Sequence, residues 1–153
     1  MNGLFGWLLV IHVLAAFAVI GPALVVPVIR RSARTAGQLR YAFDVSAKLA
    51  FLPKIGGVVL IATGVWLMIE SGIGFTQMWL NLSILLSLLL IVLIDAMIEP
   101  RVKKIMRMMS ENKQQGDEIP REFTQEMRTI VPFDSVAQAM MIAIIVLMVL
   151  KPF

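Results

Sequence analysis

The sequence predicts an all-α membrane protein, built as one domain in which four transmembrane helices form a bundle with amphipathic extensions on the cytoplasmic side. Two observations on composition predict this class: 59% of the 153 residues are apolar and only 16% are charged. Soluble domains are about 45–50% apolar and about 25% charged. The third observation is that the apolar residues are concentrated in four runs, each long enough as a helix to cross a bilayer core of about 30 Å.

The four runs extend over residues 4–29, 49–69, 77–98 and 133–150. The first run is uncharged, and its most polar side chain is that of His12. The other runs contain a few polar side chains or prolines, namely Pro53, Lys54, Asn81, Asp95 and Asp134. Because hydrocarbon cannot hydrogen-bond to exposed backbone groups, runs of this length must be helices.

The positions of the cations predict the orientation of these helices. Residues 30–48 contain five Lys or Arg and residues 99–132 contain seven, whereas the N-terminus and residues 70–76 contain none. The positive-inside rule therefore places the connections 30–48 and 99–132 in the cytoplasm and both termini outside. Trp7, Trp66 and Trp79 would then lie at the outer ends of their helices, as in an interfacial aromatic belt.

The second connection contains two amphipathic stretches. Val102, Ile105, Met106 and Met109 follow the spacing of one helix face, opposite a set of lysines and arginines. Another apolar face is formed by Phe123, Met127, Ile130 and Val131. We expect the basic face of the first stretch to lie against anionic lipid headgroups.

Composition excludes several kinds of site. The chain has no cysteine and one histidine, so disulfides, thiolate chemistry and a zinc site with two or more histidines are excluded, and we predict no metal site. Acidic residues interleave with the basic ones in the second connection, which argues against nucleic acid as a partner. Gly57 and Gly64 are seven residues apart in the second run, and we expect this face to pack closely against another helix.

His12 is the candidate cofactor-binding residue. Its helical neighbours Leu8, Leu9, Ala15 and Ala16 are apolar or small, so another helix or a flat ring could approach it closely. An ionisable side chain within a span suggests an axial haem ligand or a proton-relay group. The alternative is a histidine that only hydrogen-bonds to a neighbouring helix, through Asn81 or Ser83.

A second set of polar side chains lies near the predicted inner ends of the spans. Lys54 and Asp95 have a similar predicted depth, and opposite charges at one level in apolar surroundings should pair. We therefore predict a Lys54–Asp95 salt bridge, with Asp134 or Glu99 nearby. Such a cluster at the inner mouth is either structural or a site for a proton or cation.

Two segments carry a family resemblance: WLLVIHVLAAFAVIGPALVVPVIRR over Trp7–Arg31 and GVVLIATGVWLMIESGIGFTQMWLNLSILLSLLLIVLI over Gly57–Ile94. Their pattern resembles a family of predicted bacterial integral membrane proteins of unknown function, the domain-of-unknown-function 2269 type. It is distantly similar to the copper-resistance protein D family and the HemJ-type protoporphyrinogen oxidases. The resemblance implies a compact helical protein of the bacterial cytoplasmic membrane, and the HemJ-type group implies haem b as the cofactor.

Only His12 matches the histidine that the wider group has in its first helix. The HemJ-type pattern has a lysine after the Trp-Leu pair of the third helix, where this chain has Asn81, Leu82 and Ser83, so the resemblance does not extend to the oxidase activity. We predict a haem- or quinone-associated redox or haem-handling protein centred on His12. The alternatives are a small proton-coupled transporter acting as a homo-oligomer, and a non-catalytic subunit or assembly factor bound to another membrane protein.

Overall fold

A computed structural model describes residues 3–111 and 117–152 of the chain, and α-helices account for nearly all of them. Within these ranges the helices are α1 (Gly3–Ser32), α2 (Ala36–Leu49), α3 (Phe51–Ser71), α4 (Met78–Leu93), α5 (Glu99–Glu111) and α6 (Arg121–Leu150). A short 3₁₀ turn, Gly74–Thr76, separates α3 from α4. A π-helical segment, Ile94–Ile98, joins α4 to α5 without a break in the helix.

Four helical stretches of the described chain are long and apolar enough to cross a membrane: Gly3–Ser32, Ala36–Ser71, Met78–Glu111 and Arg121–Leu150. Each contains one of the predicted runs, so the all-α class with four membrane-spanning helices is confirmed. The helices are longer than the runs because the amphipathic segments continue them rather than forming loops. α2 precedes α3 with only Ala50 between them, and the first third of α6 precedes its apolar run.

α1 and α3 pack against each other at a glycine. A Cβ atom added at Gly56 would lie 3.0 Å from the Cβ atom of Ala18 and 3.1 Å from the carbonyl oxygen of Ala15, whereas one added at Gly57 would meet nothing within 4 Å. The prediction that Gly57 faces a neighbouring helix is therefore wrong, and the prediction for Gly64, which contacts α1, is confirmed. Absence of a side chain lets the two backbones approach closely, which is the usual basis of helix association in lipid.

α4 packs against α6, and this second pair of helices contacts α1. Leu90, Ala137 and Met141 form a small buried cluster between α4 and α6, onto which Ile20 and Ala23 of α1 pack. Ser83 and Trp79 are also buried in α4. Trp79 lies in the first turn of α4, with the amine of Lys151 5.4 Å from its ring centre. Trp7 and Trp66 are exposed, and the placement of the three tryptophans at a membrane interface stays a prediction.

The polar ends of the helices form a second hydrophobic core, which we call the three-helix cluster. It consists of Leu39 and Phe43 of α2, Ile105 of α5, and Phe123 and Ile130 of α6. Val102, Met106, Met109 and Met127 pack against it, so the predicted apolar faces are confirmed except at Val131, which is exposed. Since these faces are buried against protein, they are not available to insert between lipid headgroups.

Candidate functional site

The imidazole of His12 connects α1 to α3. It lies in the third turn of α1, and its Nδ1 atom is 2.9 Å from the hydroxyl oxygen of Thr63, which is buried. The Thr63 hydroxyl also lies 2.7 Å from the carbonyl oxygen of Val59, one turn earlier in its own helix. His12 and Thr63 are thus parts of one hydrogen-bonded chain that ends at a backbone carbonyl.

This chain of hydrogen bonds favours one tautomer of the ring. A threonine hydroxyl has one hydrogen to donate, and the carbonyl of Val59 can only accept it. The Thr63 oxygen then accepts its second hydrogen bond from the ring, so that His12 carries its proton on Nδ1. With its proton on Nδ1, the neutral imidazole has its lone pair on Nε2.

The surroundings of His12 differ on its two sides. A Cβ atom at Gly64 would lie only 3.2 Å from the ring carbon Cε1, so the glycine lets the imidazole approach α3 closely. Leu8 and Ala15 are buried on the packed side of α1, whereas Leu9 is exposed and Ala16 is half-buried on the other side. The ring itself is half-buried, so that it is held by α3 but not enclosed.

The alternative partners predicted for His12 make other contacts. The Asn81 amide donates to the carbonyl of Phe75 at 2.9 Å. The Ser83 hydroxyl donates to the carbonyl of Trp79 at 2.7 Å and is buried against α6 and its own helix. The interhelical hydrogen bond of His12 was therefore predicted, but its partner Thr63 was not. Thr63 directly precedes Gly64, which was predicted to lie on a close-packed face, and this position was the available signal for the contact.

The predicted cluster of Lys54, Asp95, Asp134 and Glu99 is divided between two places. Lys54 approaches Glu99 at 3.9 Å, and Glu99 in turn has Lys103 at 2.7 Å. The predicted Lys54–Asp95 salt bridge is wrong, because the long lysine side chain points toward the three-helix cluster rather than deeper along α4. Asp95 is exposed and has no ion pair or hydrogen bond with any described residue.

Asp134 forms a buried ion pair that sequence analysis missed. Both of its carboxylate oxygens accept hydrogen bonds from one nitrogen of Arg30, at 3.2 and 3.3 Å, and both side chains are less than a tenth exposed. The ring of Phe43 lies 5.9 Å from the guanidinium carbon. The signal was that Arg30 directly follows the first run and Asp134 lies at the start of the fourth, which places both at the same end of the bundle.

No group of three or more His, Asp or Glu side chains that could hold a metal ion occurs in the part of the chain that the structure describes. Two groups of methionines pack in different cores: Met106, Met108 and Met109 pack on the three-helix cluster, whereas Met140 and Met141 belong to the α4–α6 contact. The cofactor hypothesis therefore rests on the imidazole of His12.

Comparisons with known proteins give one match. The model of a family described as "Predicted integral membrane protein (DUF2269)" matches residues 7–152, which is nearly the whole chain. No curated protein and no solved structure matches the chain. The match covers all four spans, His12, and both polar groups described above.

Proposed function

We propose that this chain, which belongs to the DUF2269 family of predicted integral membrane proteins, binds haem b through Nε2 of His12 and serves in redox or haem-handling reactions of the membrane. One observation carries the proposal: the hydrogen bonds that join His12, Thr63 and Val59 favour a proton on Nδ1, which puts the lone pair of the ring on Nε2.

The donor chemistry fits this cofactor. Neutral imidazole is the usual axial ligand of haem iron, and a hydrogen bond from its other nitrogen to a protein oxygen orients the ring and raises its basicity. Thr63 would supply that hydrogen bond. When bound, the haem would supply one-electron chemistry. Apolar side chains on the exposed side, such as Leu9, would contact the porphyrin.

The chain supplies one imidazole, because His12 is its only histidine. A second axial ligand would come from a methionine or from His12 of a second copy. The same nitrogen could accept a hydrogen bond from a reduced quinone. A quinone would also give the protein a redox function, but it would not give the Soret band of haem. In each case the protein's part is to hold an oriented base within the apolar layer.

An absorption spectrum tests the proposal. Protein purified from its native membrane in mild detergent should show a Soret band that shifts on reduction, and His12→Ala should abolish it. Asn81→Ala is the matched control, since it removes a polar side chain of the spans that does not touch His12, and it should keep the band. A wild-type protein without a Soret band would overturn the haem proposal.

That negative result would leave three classes of function: quinone association, proton-coupled transport by a homo-oligomer, and a subunit or assembly role. A transporter would give solute flux in proteoliposomes that His12→Ala abolishes. A subunit would copurify with a stable membrane partner and give neither flux nor a spectrum. These outcomes separate the alternatives by measurements that do not depend on haem.

We also propose that the three-helix cluster faces the cytoplasm of a bacterial cell and that both termini lie outside. The asymmetry of Lys and Arg between the connections supports this orientation. Because the chain has no cysteine, a single cysteine can report the side of the membrane. Lys151→Cys should react with a membrane-impermeant maleimide in spheroplasts and Gln38→Cys should not, and the reverse pattern would contradict the orientation.

A further inference from the structure

We propose that a second copy of this chain docks on the surface that carries Lys54 and Asp95, with Asp95 of each copy paired to Lys54 of the other. This inference does not depend on haem binding. It rests on Asp95, which lies one turn before Glu99 in the sequence, and on Lys54, whose amine lies 3.9 Å from Glu99 and is largely exposed.

Asp95 is the first part of the argument. It lies in the π-helical segment, within the third predicted span, and its side chain is exposed. The residues one and two turns earlier in the helix, Ile91, Val92 and Leu88, are exposed apolar side chains. A carboxylate on such a surface is costly in lipid, and charged groups in spans therefore normally pair with one another.

The nearby cations of the same chain are engaged elsewhere. Arg101 donates to the carbonyl of Met97, and its guanidinium lies 4.5 Å from the ring centre of Phe133. Lys103 is bound to Glu99 at 2.7 Å. None of the ion pairs or hydrogen bonds within 3–111 and 117–152 includes Asp95. A partner for this carboxylate must then come from outside the single chain.

Lys54 is the cation that is available to a second copy. Its side chain is 71% exposed, and its 3.9 Å approach to Glu99 is at the outer limit of an ion pair. Glu99 keeps its closer partner, Lys103, if Lys54 turns away. The exposed side chains one and two turns along this face of α3, Val58 and Ile61, are apolar, and Gly57 on the same face is open.

The two charged groups make the surface self-complementary. A two-fold axis near Glu99 would bring each Asp95 to the Lys54 of the other copy, as in the isologous interface of a symmetric dimer. Apolar side chains of α3 and α4 would surround the two ion pairs, and the open glycine would let helices approach closely. We expect each interchain ion pair to stabilise the dimer by more than the loss of the long Lys54–Glu99 contact destabilises it.

Cross-linking tests the contact directly. Two differently tagged chains, one with Lys54→Cys and one with Asp95→Cys, are coexpressed and treated in native membranes with a short bis-maleimide. The proposal predicts a covalent dimer that carries both tags. Pairing Lys54→Cys with Val149→Cys is the control, since Val149 is equally exposed but lies at the far end of α6, and it should give no dimer.

Charge reversal distinguishes a stable interface from cross-linking between chains that only collide in the membrane. Asp95→Lys or Lys54→Asp alone should weaken dimerisation in detergent about tenfold or more, and the double reversal should restore it. Dimers unaffected by the single reversals, or chains that stay monomeric in the wild type, would overturn the proposal. A Soret band that survives in a monomeric Asp95→Lys variant would show that haem binding stands without this interface.

Discussion

The membrane half of the molecule, which consists of the four apolar runs, differs from the three-helix cluster in which side chains make its close contacts. In the cluster the large apolar side chains are buried, with Leu39 and Phe43 each 1% exposed and Ile105 fully buried. Along α1 and α3 most large apolar side chains are exposed instead, and the close contacts are made by glycine, alanine and the His12–Thr63 hydrogen bond. Water favours burial of apolar groups, whereas lipid is as apolar as leucine and gives no such preference.

This difference changes how an unusual side chain should be interpreted in each half. An exposed apolar residue in the membrane half is ordinary, and it marks no binding site. Polar atoms without partners are the exceptions there, since lipid offers no compensating hydrogen bonds. The Nε2 lone pair that we assign to His12 and the carboxylate of Asp95 are the polar groups on which our proposals rest.

The buried Arg30–Asp134 pair joins the two halves, and breaking it should have the largest effect on stability. Asp134→Leu leaves the buried guanidinium of Arg30 without its counter-charge, which we expect to cost about 3–5 kcal/mol. The double variant Arg30→Met, Asp134→Leu should recover most of this loss. Thermal unfolding in detergent measures both, and a double variant no better than the single one would contradict the explanation by an unpaired charge.

The cluster should respond to truncation as a soluble core does. Ile105→Ala removes a fully buried side chain of α5 and should cost about 2–5 kcal/mol. Val58→Ala truncates an apolar side chain of α3 that is 70% exposed and should change unfolding little. Equal losses in the two variants would show that the membrane half has a core of the same kind, which would remove the contrast.

The α1–α3 contact should be sensitive to a single methyl group. Gly56→Ala places a Cβ atom against Ala18 and the backbone of Ala15, and overpacking of this kind costs about 1–3 kcal/mol. Gly57→Ala adds the same methyl group in open space and should be neutral or slightly stabilising, because alanine favours the helix. A larger loss for Gly57→Ala than for Gly56→Ala would reverse the assigned face of α3.

The smallest effect is expected at the surface of α2. Lys48 pairs with Asp44 one turn earlier at 2.8 Å, but both side chains are largely exposed, and solvent screens such pairs. Lys48→Ala should therefore leave the melting temperature unchanged at physiological salt. A clear loss of stability would mean that this face of α2 is covered by a partner in the membrane.

The parts of the fold that depend on periodicity and hydropathy could be predicted from the sequence. The four spans and the apolar faces through Ile105 and Phe123 follow from spacing alone, since each is local. What those faces pack against could not be predicted, because an amphipathic helix is equally compatible with lipid headgroups and with other helices. That choice depends on α2, which lies more than fifty residues away along the chain.

The candidate site was predicted only in part for a similar reason. His12 stood out because an ionisable group in an apolar run is rare, but its partner is fixed by the register of α1 against α3. That register depends on which of two adjacent glycines, Gly56 or Gly57, faces α1. The depth of Lys54 along its helix could be predicted, but its long side chain can reach a whole turn in either direction. In the structure its amine approaches Glu99 and not Asp95.

The position of the proton on the His12 ring tests the proposed function most directly. Because His12 is the only histidine, ¹⁵N-labelled histidine gives one unambiguous pair of nitrogen signals in protein purified without added haem. We predict a proton on Nδ1 and a lone pair on Nε2, with the preference weakened in Thr63→Val and restored in Thr63→Ser. A proton on Nε2 in the wild type would contradict the assigned hydrogen bonds and remove the free base on which the proposed function depends.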